Sequence, residues 1–335
     1  MLRGRMRRRP LAILAAAVMA AATLAGCGSV LGHSGSSSLT NASLVLDFTP
    51  NAVHTGIYTA LARGYDRAAG IRLDVIVPSA STDSIKLLEA GRVNFALLDI
   101  HDLAIAREHG ADIVGLLPIV EEPLAAVIAQ PGIRSPSQLD GRLVGITGDP
   151  SDTAVLRSIV AGSGGHPASV KTITIGYDAV SDLLARRVSA ATAFWNDEGV
   201  TLNARRPGFQ IFRVDDYGAP SYPELILCAT AAEVHKHPAF ARAVVHVLVR
   251  GYDATLADPA AAQQDLESRV PGLDHQLTYS ELAAEIPAFT GPEGHFGVFD
   301  ESHLHAWALW EKRFGIVSAT PDVATMFDTQ FAPRG

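Results

Sequence analysis

Short apolar runs alternate with segments of helical periodicity along most of the chain from Ser43 onward. The helical segments are about ten residues long, which is the length that connects neighbouring parallel strands. Strands that alternate with such helices predict parallel βαβ units wound on both faces of a sheet. The alternation therefore predicts an α/β fold with doubly wound sheets.

Two longer extended runs interrupt this alternation. The first βα series covers residues 44–120, and the second covers residues 143–194. The extended runs lie at 124–129 and 224–230, and we interpret them as crossings between two lobes. Two lobes that are joined by two extended segments predict a hinged clamshell, which closes around a ligand. Glu121 and Glu122 lie beside the expected hinge and are predicted to hold it.

The N-terminus has the features of a secretory signal. Five arginines lie within the first nine residues: Arg3, Arg5, Arg7, Arg8 and Arg9. An uncharged apolar run at 11–25 follows, which is short for a bilayer span of ~20 residues. The run ends in Leu24-Ala25-Gly26-Cys27, which resembles a bacterial lipobox; the resemblance implies cleavage before Cys27 and lipidation of its thiol. An uncleaved anchor with a chance cysteine is the alternative.

These features divide the chain into five expected segments. They are a signal peptide at 1–26, the lipidated Cys27 with a flexible tether at 27–42, the first part of lobe 1 at 43–128, lobe 2 at 129–223, and a return to lobe 1 with C-terminal helices at 224–335.

Charge and cysteine content exclude several functions. The formal charge is −8, and it becomes −13 without the five leading arginines, so a nucleic-acid partner is not expected. Two cysteines, Cys27 and Cys228, cannot form a disulfide framework or a thiolate zinc site. We interpret Cys228 as a buried core thiol.

Polar and aromatic residues follow the predicted strands where a ligand is expected. In open parallel sheets, ligands bind beyond the C-terminal strand ends. Aromatic rings can stack on a flat ligand, and carboxylates or amides can bond to its amine and ring nitrogens. The predicted ligand-binding residues are Asp47, Phe48, Asn51, His54, Asp99, Trp195, Asn196, Glu198, Tyr217 and Tyr222.

Several of these residues also have a structural interpretation. Asp47 could cap the following turn, and His54 could bond nearby backbone groups. Trp195 could belong to the core. Tyr217 and Tyr222 lie in a Pro/Gly-rich loop before the return crossing, where a lobe-closing contact and a ligand contact are both open.

Several stretches carry a resemblance to a known family. They include the segment that begins Asp47-Phe48-Thr49-Pro50-Asn51, the motif Phe194-Trp195-Asn196-Asp197-Glu198, and residues 121–124, 131–145 and 217–225. The chain resembles thiamine-pyrimidine-precursor binding proteins, which are extracytoplasmic receptors of ABC importers and share a fold with fungal thiamine-pyrimidine synthases. The resemblance implies a type II periplasmic-binding-protein clamshell with a helical C-terminal tail.

The same resemblance implies a function. It predicts capture of a small aromatic nitrogen heterocycle, such as an aminopyrimidine, for delivery to ABC permease subunits. A lipid anchor would hold the protein at the outer face of the bacterial cytoplasmic membrane. No cofactor, metal or catalytic residue is expected.

The resemblance also brings in an enzyme as an alternative. In the fungal synthases a lysine holds pyridoxal phosphate, and a histidine four residues later supplies the pyrimidine. Alignment of residues 95–110 places Leu98 and Asp102 at those positions. A leucine cannot form a Schiff base, so binding without catalysis is the preferred interpretation.

Other ligands remain open. Related receptors take riboflavin, alkanesulfonates or nitrate, but oxyanions favour Arg or Lys, whereas the strand ends carry acids, amides and aromatics. A metal ligand is also considered, because His235 with His237, and His303 with His305, are spaced two residues apart. On a helix such pairs point apart, so we interpret them as solvated histidines.

Overall fold

The computed structural model describes residues 39–80, 82–291 and 294–334. The predicted signal peptide and Cys27 lie outside the described residues. The predicted tether ends earlier than expected, because the first strand already begins at Thr40. Among the helices of the described ranges, none combines the length and the apolar character that crossing a membrane requires.

Ten strands form among the described residues. They are β1 (Thr40–Val45), β2 (Ile71–Ile76), β3 (Phe95–Asp99), β4 (Ile113–Val120), β5 (Ala125–Ala129), β6 (Leu143–Ile146), β7 (Lys171–Thr174), β8 (Ala190–Phe194), β9 (Gln210–Arg213) and β10 (Leu225–Thr230).

Thirteen α-helices lie between and after these strands in the described ranges. They are α1 (Thr55–Ala62), α2 (Tyr65–Ala68), α3 (Asp83–Glu89), α4 (Ile100–Glu108), α5 (Asp152–Gly162), α6 (Ala179–Leu184), α7 (Glu198–Arg205), α8 (Ala231–Lys236), α9 (Pro238–Ala257), α10 (Pro259–Arg269), α11 (His275–Glu285), α12 (Glu301–Phe314) and α13 (Val323–Met326). A short 3-10 helix, Ala52–His54, precedes α1.

The first sheet has the order β2-β1-β3-β10-β4. Strands β1, β2 and β3 are parallel, with Leu44 opposite Phe95. Strand β10 runs antiparallel between β3 and β4, with Leu225 opposite Asp99. Because β1 and β3 point the same way, Asp47 and Asp99 reach the same edge of this sheet.

The second sheet has the order β7-β6-β8-β5-β9. Strands β6, β7 and β8 are parallel, and β5 runs antiparallel to β8 and β9, with Ala125 opposite Phe194. The two predicted α/β lobes are therefore present, but each sheet is mixed rather than all parallel.

The chain passes between the sheets near residue 122 and returns near residue 224. Strand β5 already pairs within the second sheet, so the first crossing lies before the predicted boundary at 128/129. The division into lobes at 128/129 and 223/224 stays a prediction. At the first crossing, the Glu121 carboxylate accepts hydrogen bonds from the backbone N–H groups of Gly297 and Val298 at 2.8 and 3.1 Å.

Helices after β10 complete the side of the molecule that carries the first sheet. The long helix α9 packs on α1, and the two backbones meet at Gly56 and Gly251. Strand β10 is buried along most of its length and carries Cys228, which is a free, fully buried thiol as predicted.

Candidate functional site

A cleft that is continuous with solvent lies between the two sheets. Residues at or after the C-terminal ends of six parallel strands line it: Asp47 and Phe48 after β1, Ser84 and Ile85 after β2, Asp99 at the end of β3, Thr147, Asp149, Ser151 and Asp152 after β6, Tyr177 after β7, and Phe194 and Glu198 at and after the end of β8. This is the position that the parallel-strand rule predicts for a ligand.

The polar part of the lining is acidic. Six carboxyl groups line the cleft: Asp47, Asp99, Asp102, Asp149, Asp152 and Glu198. None of the described residues that line it is Lys, Arg or His. Hydroxyl groups of Ser84, Thr147, Ser151 and Thr192 complete the polar surface. The lining therefore favours a ligand that presents hydrogen-bond donors or positive charge.

Asp47 is oriented by a buried histidine. His54 is fully buried, and its Nε2 lies 3.0 Å from Asp47 Oδ1. The other ring nitrogen, Nδ1, accepts a hydrogen bond from the backbone N–H of Asn51 at 3.1 Å. The ring proton therefore lies on Nε2 and is donated to Asp47. His54 positions the carboxylate from behind the cleft wall.

Glu198 opens helix α7 at the base of the cleft. Its Oε2 accepts a hydrogen bond from the backbone N–H of Phe194 at 3.0 Å. Burial and the neighbouring carboxyl of Asp197 raise the pKa of Glu198 to about 8. The protonated form can donate a hydrogen bond to a ligand, and the ionised form can accept one.

Asp152 holds the loop between β6 and α5. Its Oδ2 accepts hydrogen bonds from the backbone N–H groups of Gly148 and Asp149 at 2.7 and 3.0 Å, and its Oδ1 accepts one from Thr192 at 3.0 Å. Asp102 of α4 accepts a hydrogen bond from the Ser151 N–H at 3.1 Å, which joins this loop to the first sheet's side of the cleft. These two carboxyls shape the wall.

Asp99 connects the cleft to the crossing strands. It caps α4 by accepting a hydrogen bond from the His101 N–H at 2.7 Å. Its carboxyl also hydrogen-bonds Glu224, and burial raises the pKa of Asp99 well above its usual range. Glu224 in turn accepts hydrogen bonds from the backbone N–H groups of Leu124 and Ala125. The Glu224 carboxylate, at the start of β10, thus accepts hydrogen bonds from the backbone at the start of β5.

His101 lies behind Asp99 in a buried network. Its Nε2 lies 3.0 Å from the Tyr222 hydroxyl, and its Nδ1 contacts the Glu311 carboxylate. Burial alone would lower the pKa of His101, but the carboxyls of Glu311 and Asp99 outweigh it and raise it to about 10. The ring is therefore a buried cation at neutral pH.

One group of side chains in the described ranges has the geometry of a metal site. Ligand atoms of Asp99, His101 and Glu224 lie within 4.8 Å of one another. Both ring nitrogens of His101 are already engaged by Tyr222 and Glu311, and Glu224 holds two backbone N–H groups. These contacts describe a hydrogen-bond network around the His101 ring.

Two aromatic rings, one from each side of the cleft, are in contact. Phe48 and Tyr177 meet edge to face, with centroids 4.3 Å apart and an angle of 68° between the planes. The Tyr177 hydroxyl donates to the Asp47 carbonyl oxygen at 3.3 Å. A flat ligand that enters the cleft meets these rings beside the Asp47 carboxylate.

The structure brings four of the ten predicted site residues to the cleft lining: Asp47, Phe48, Asp99 and Glu198. Contact of these four with a ligand stays a prediction. The other six do not line the cleft, and each has a structural partner instead.

Two of the six belong to the turn after β1. Asn51 caps the 3-10 helix, since its Oδ1 accepts a hydrogen bond from the Val53 N–H at 3.0 Å, and His54 lies behind Asp47. A third, Asn196, follows β8; it is buried and donates a hydrogen bond to Glu285 of α11.

Three of the four predicted aromatic contacts lie elsewhere. The Trp195 indole donates to the Pro123 carbonyl at 2.9 Å, and Arg213 lies 4.4 Å over its ring. Tyr217 packs against α5, where a Cβ on Gly162 would fall 2.1 Å from the Tyr217 carbonyl oxygen. Tyr222 is fully buried beside His101.

Sequence reasoning missed other lining residues: Asp102, Asp149, Asp152 and Tyr177 among them. The segment Thr147-Gly148-Asp149-Pro150-Ser151-Asp152 directly follows β6, the first strand of the predicted second series at 143–194, and Tyr177 follows β7. The strand-end rule applied to the second series would have found both.

Comparison with known proteins identifies relatives of the chain. The family model described as NMT1/THI5 like matches residues 51–262. A formylaminopyrimidine-binding protein of Halalkalibacterium halodurans is 28% identical over 275 residues, which are 80% of this chain and 83% of that protein. The riboflavin-binding protein RibY of Chloroflexus aurantiacus is 23% identical over 317 residues, which are 89% of this chain and 87% of that protein.

An enzyme is also among the relatives. A 4-amino-5-hydroxymethyl-2-methylpyrimidine phosphate synthase of Saccharomyces cerevisiae is 22% identical over 251 residues, which are 71% of this chain and 73% of the enzyme.

The fold matches solved structures over nearly their whole length. The periplasmic aliphatic sulphonate binding protein SsuA of Escherichia coli superposes with a TM-score of 0.66 at 14% identity, over 86% of this chain and 97% of that one. The predicted periplasmic-binding-protein clamshell with its helical C-terminal region is therefore confirmed. Since the family model spans more than half of the residues, the chain belongs to the NMT1/THI5-like family.

Proposed function

We propose that the protein is the extracytoplasmic solute-binding subunit of an ABC importer. Its solute, in this proposal, is a small aromatic nitrogen heterocycle that carries an amine, such as a thiamine pyrimidine precursor. The observation that carries the proposal is the composition of the cleft: six carboxyls and two facing aromatic rings, with no basic side chain among the described lining residues. The formylaminopyrimidine-binding relative supports the same ligand class.

The acidic lining separates this ligand class from oxyanions. A sulfonate or nitrate in the cleft would meet the Asp47 carboxylate, beside the carboxyls of Asp99 and Glu198, without a lining cation to balance its charge. An amine donates to these carboxyls, and a planar ring packs against Phe48 and Tyr177.

A flavin is the second candidate. The hydroxyls of Ser84, Thr147, Ser151 and Thr192 suit a polyhydroxylated side chain, and a riboflavin-binding relative spans most of the chain. The screen described below distinguishes the two ligands.

Binding without turnover fits the lining better than catalysis. Leu98 and Asp102, the positions aligned with the synthase lysine and histidine, both line the cleft. Neither side chain carries an amine, and no lysine occurs among the described lining residues, so the cleft offers no Schiff-base partner for pyridoxal phosphate.

A thermal-shift screen tests the ligand. The purified protein is mixed with formylaminopyrimidine, riboflavin, taurine or nitrate. At a hundredfold excess over Kd the ligand should stabilise the fold by about 2.7 kcal/mol.

Asp47→Asn should weaken binding about tenfold or more, because a charge-assisted hydrogen bond is lost. Glu89→Gln, at the exposed end of α3, is the matched control. Stabilisation by taurine or nitrate alone, by none of the four, or turnover of the pyrimidine would overturn the proposal.

The anchor is a separate part of the proposal. We infer that acyl chains on Cys27 hold the protein at the outer face of the cytoplasmic membrane, since each buried methylene contributes about 0.8 kcal/mol. Cys27→Ser should move the protein from the membrane fraction to the soluble extracytoplasmic fraction. Retention of this variant in the membrane would contradict the anchor.

A further inference from the structure

Asp197 ties the second sheet to the turn after β1. It lies between β8 and α7, and its Oδ2 accepts a hydrogen bond from Asn51 Nδ2 at 2.7 Å. Asn51 is held in place by its own hydrogen bonds with Val53 and His54. Because Asn51 follows a strand of the first sheet and Asp197 follows a strand of the second, this contact spans the cleft.

Helix α11 contacts the same segment from another direction. The Glu281 carboxyl hydrogen-bonds the Asp197 carboxyl, and its Oε1 also accepts a hydrogen bond from the Thr201 hydroxyl at 3.2 Å. One turn later, Glu285 accepts a hydrogen bond from Asn196 Nδ2. Helix α11 also packs against the 3-10 helix Ala52–His54, so the start of α7 is held by two elements that contact each other.

The surroundings of Asp197 are rich in carboxyls. The titratable groups that face it are Asp47 and His54 from the turn after β1, Glu198 from α7, and Glu281 and Glu285 from α11. Burial raises the pKa of Asp197, and it raises the pKa of Glu281 and of Glu285 to about 8.

Two ionised carboxylates cannot hydrogen-bond each other, since both groups are then acceptors only. The hydrogen bond between Glu281 and Asp197 therefore requires one proton. Burial raises the pKa of both groups, and we assign the shared proton to Glu281.

We propose that the Asp197–Glu281 pair, joined to Asn51 across the cleft, is a proton-dependent latch that holds the cleft closed. Closing buries the two carboxyls with one shared proton between them. Opening hydrates both groups, the proton passes to bulk water, and both carboxylates ionise. The inference rests on the proposed function only in requiring a cleft that opens and closes, and it does not depend on the identity of the solute.

The pH dependence follows from linkage. Between the usual pKa of a hydrated glutamate, about 4.3, and about 8, the closed form holds one more proton than the open form. The proton of this pair alone should therefore lower the ratio of closed to open molecules about tenfold for each pH unit in this window, and its contribution should level off above it.

Spin-label distance measurements on the ligand-free protein test the latch. Labels at Lys86→Cys and Asp178→Cys lie next to the lining residues Ile85 and Tyr177 on opposite sides of the cleft, and both positions are exposed. Cys228 is fully buried and does not compete for the label, and Cys27→Ser removes the other thiol. The short-distance population should decrease between pH 5.5 and pH 8.

Glu281→Gln in the labelled protein isolates the latch. A glutamine amide still donates to Asp197 but has no proton to lose. The pH dependence of the closed-to-open ratio, which we call the slope, should therefore lose the factor of about ten per pH unit that this pair contributes. Glu89→Gln should keep the full slope. Identical distance distributions at both pH values, or an unchanged slope in Glu281→Gln, would overturn the latch. If no heterocycle binds in the thermal-shift screen but the slope is present, the proposed function fails and the latch stands.

Discussion

His54 donates the Nε2 proton of a fully buried ring to Asp47 Oδ1 at 3.0 Å, so a carboxylate of the cleft is aimed by a residue that does not line it. The carboxylate itself remains partly exposed to the cleft, with 13% of its side-chain surface accessible. The cleft wall is thus built in two layers, an outer acid and an inner imidazole.

Removal of the inner imidazole should destabilise the protein and weaken ligand binding together. His54→Ala leaves the Asp47 carboxylate and the Asn51 N–H without their partner. We expect a loss of about 2–4 kcal/mol in the free energy of unfolding, measured by urea denaturation. His305→Ala, at an exposed position of α12, should change it by less than about 0.5 kcal/mol. An equally small effect of His54→Ala would contradict the two-layer wall.

Stability should fall as the pH rises from about 5 to about 8. The pKa values of Glu198, Glu281 and Glu285 are raised to about 8 in the folded protein, chiefly by burial, so the folded state binds more protons than the unfolded chain in this window. Each such group contributes stability that is complete below its unfolded pKa and is lost as the pH passes through the folded value. The slope is at most about 1.4 kcal/mol per pH unit for each group.

Calorimetric Tm values across this pH range measure the effect. Glu285→Gln should flatten the dependence, since Glu285 is fully buried and its amide replacement does not titrate. A Tm that rises between pH 5 and pH 8 would be the opposite of this expectation.

Glu224 should be more sensitive to truncation than to neutralisation. Glu224→Ala removes the acceptor of two backbone N–H groups, those of Leu124 and Ala125, in a fully buried place. We expect a loss of about 3–5 kcal/mol in the free energy of unfolding. Glu224→Gln keeps an amide oxygen for these donors and should lose about 1–2 kcal/mol. Equal losses in the two variants would show that the crossing strands do not depend on this acceptor.

Helices α1 and α9 are in close contact at Gly56 and Gly251. Replacement of Gly251 by alanine should therefore have the opposite of its usual effect on stability. Gly→Ala in a helix interior usually stabilises by about 1 kcal/mol. At Gly251 the new Cβ would lie 2.0 Å from the Gly56 carbonyl oxygen, so the two helices must separate.

We therefore expect Gly251→Ala to destabilise the protein by about 1–3 kcal/mol in thermal or urea unfolding. His246→Ala, at an exposed position of the same helix, should stay within about 0.5 kcal/mol of the wild type. A stabilised Gly251→Ala would mean that the helices are less closely packed than the structure has them.

Most elements of the fold were predictable from periodicity. The strands Ile113–Val120 and Ala190–Phe194 end where the two predicted βα series end, since each is a largely apolar run. Strand direction was not predictable, because an apolar run reads the same for a parallel and an antiparallel strand. Both crossing strands, Ala125–Ala129 and Leu225–Thr230, are antiparallel to their neighbours, which the apolar pattern does not indicate.

The cleft was predictable where residues directly follow a parallel strand. Asp47, Phe48 and Asp99 reach the lining because the end of a strand fixes their position, and Glu198 lies only four residues after Phe194. The direction of a large side chain was not predictable from its neighbours. Trp195 directly follows Phe194, which lines the cleft, yet its indole turns to the Pro123 carbonyl.

The carboxylate of Glu224 lies at the start of the crossing strand β10 and accepts a hydrogen bond from the backbone at the start of the other crossing strand, β5. We therefore expect rotation between the two sheets to be centred near this carboxylate. Ala125 and Leu225, its neighbours on the two strands, both line the cleft. The size of the ligand at this end of the cleft should therefore influence the angle between the two sheets.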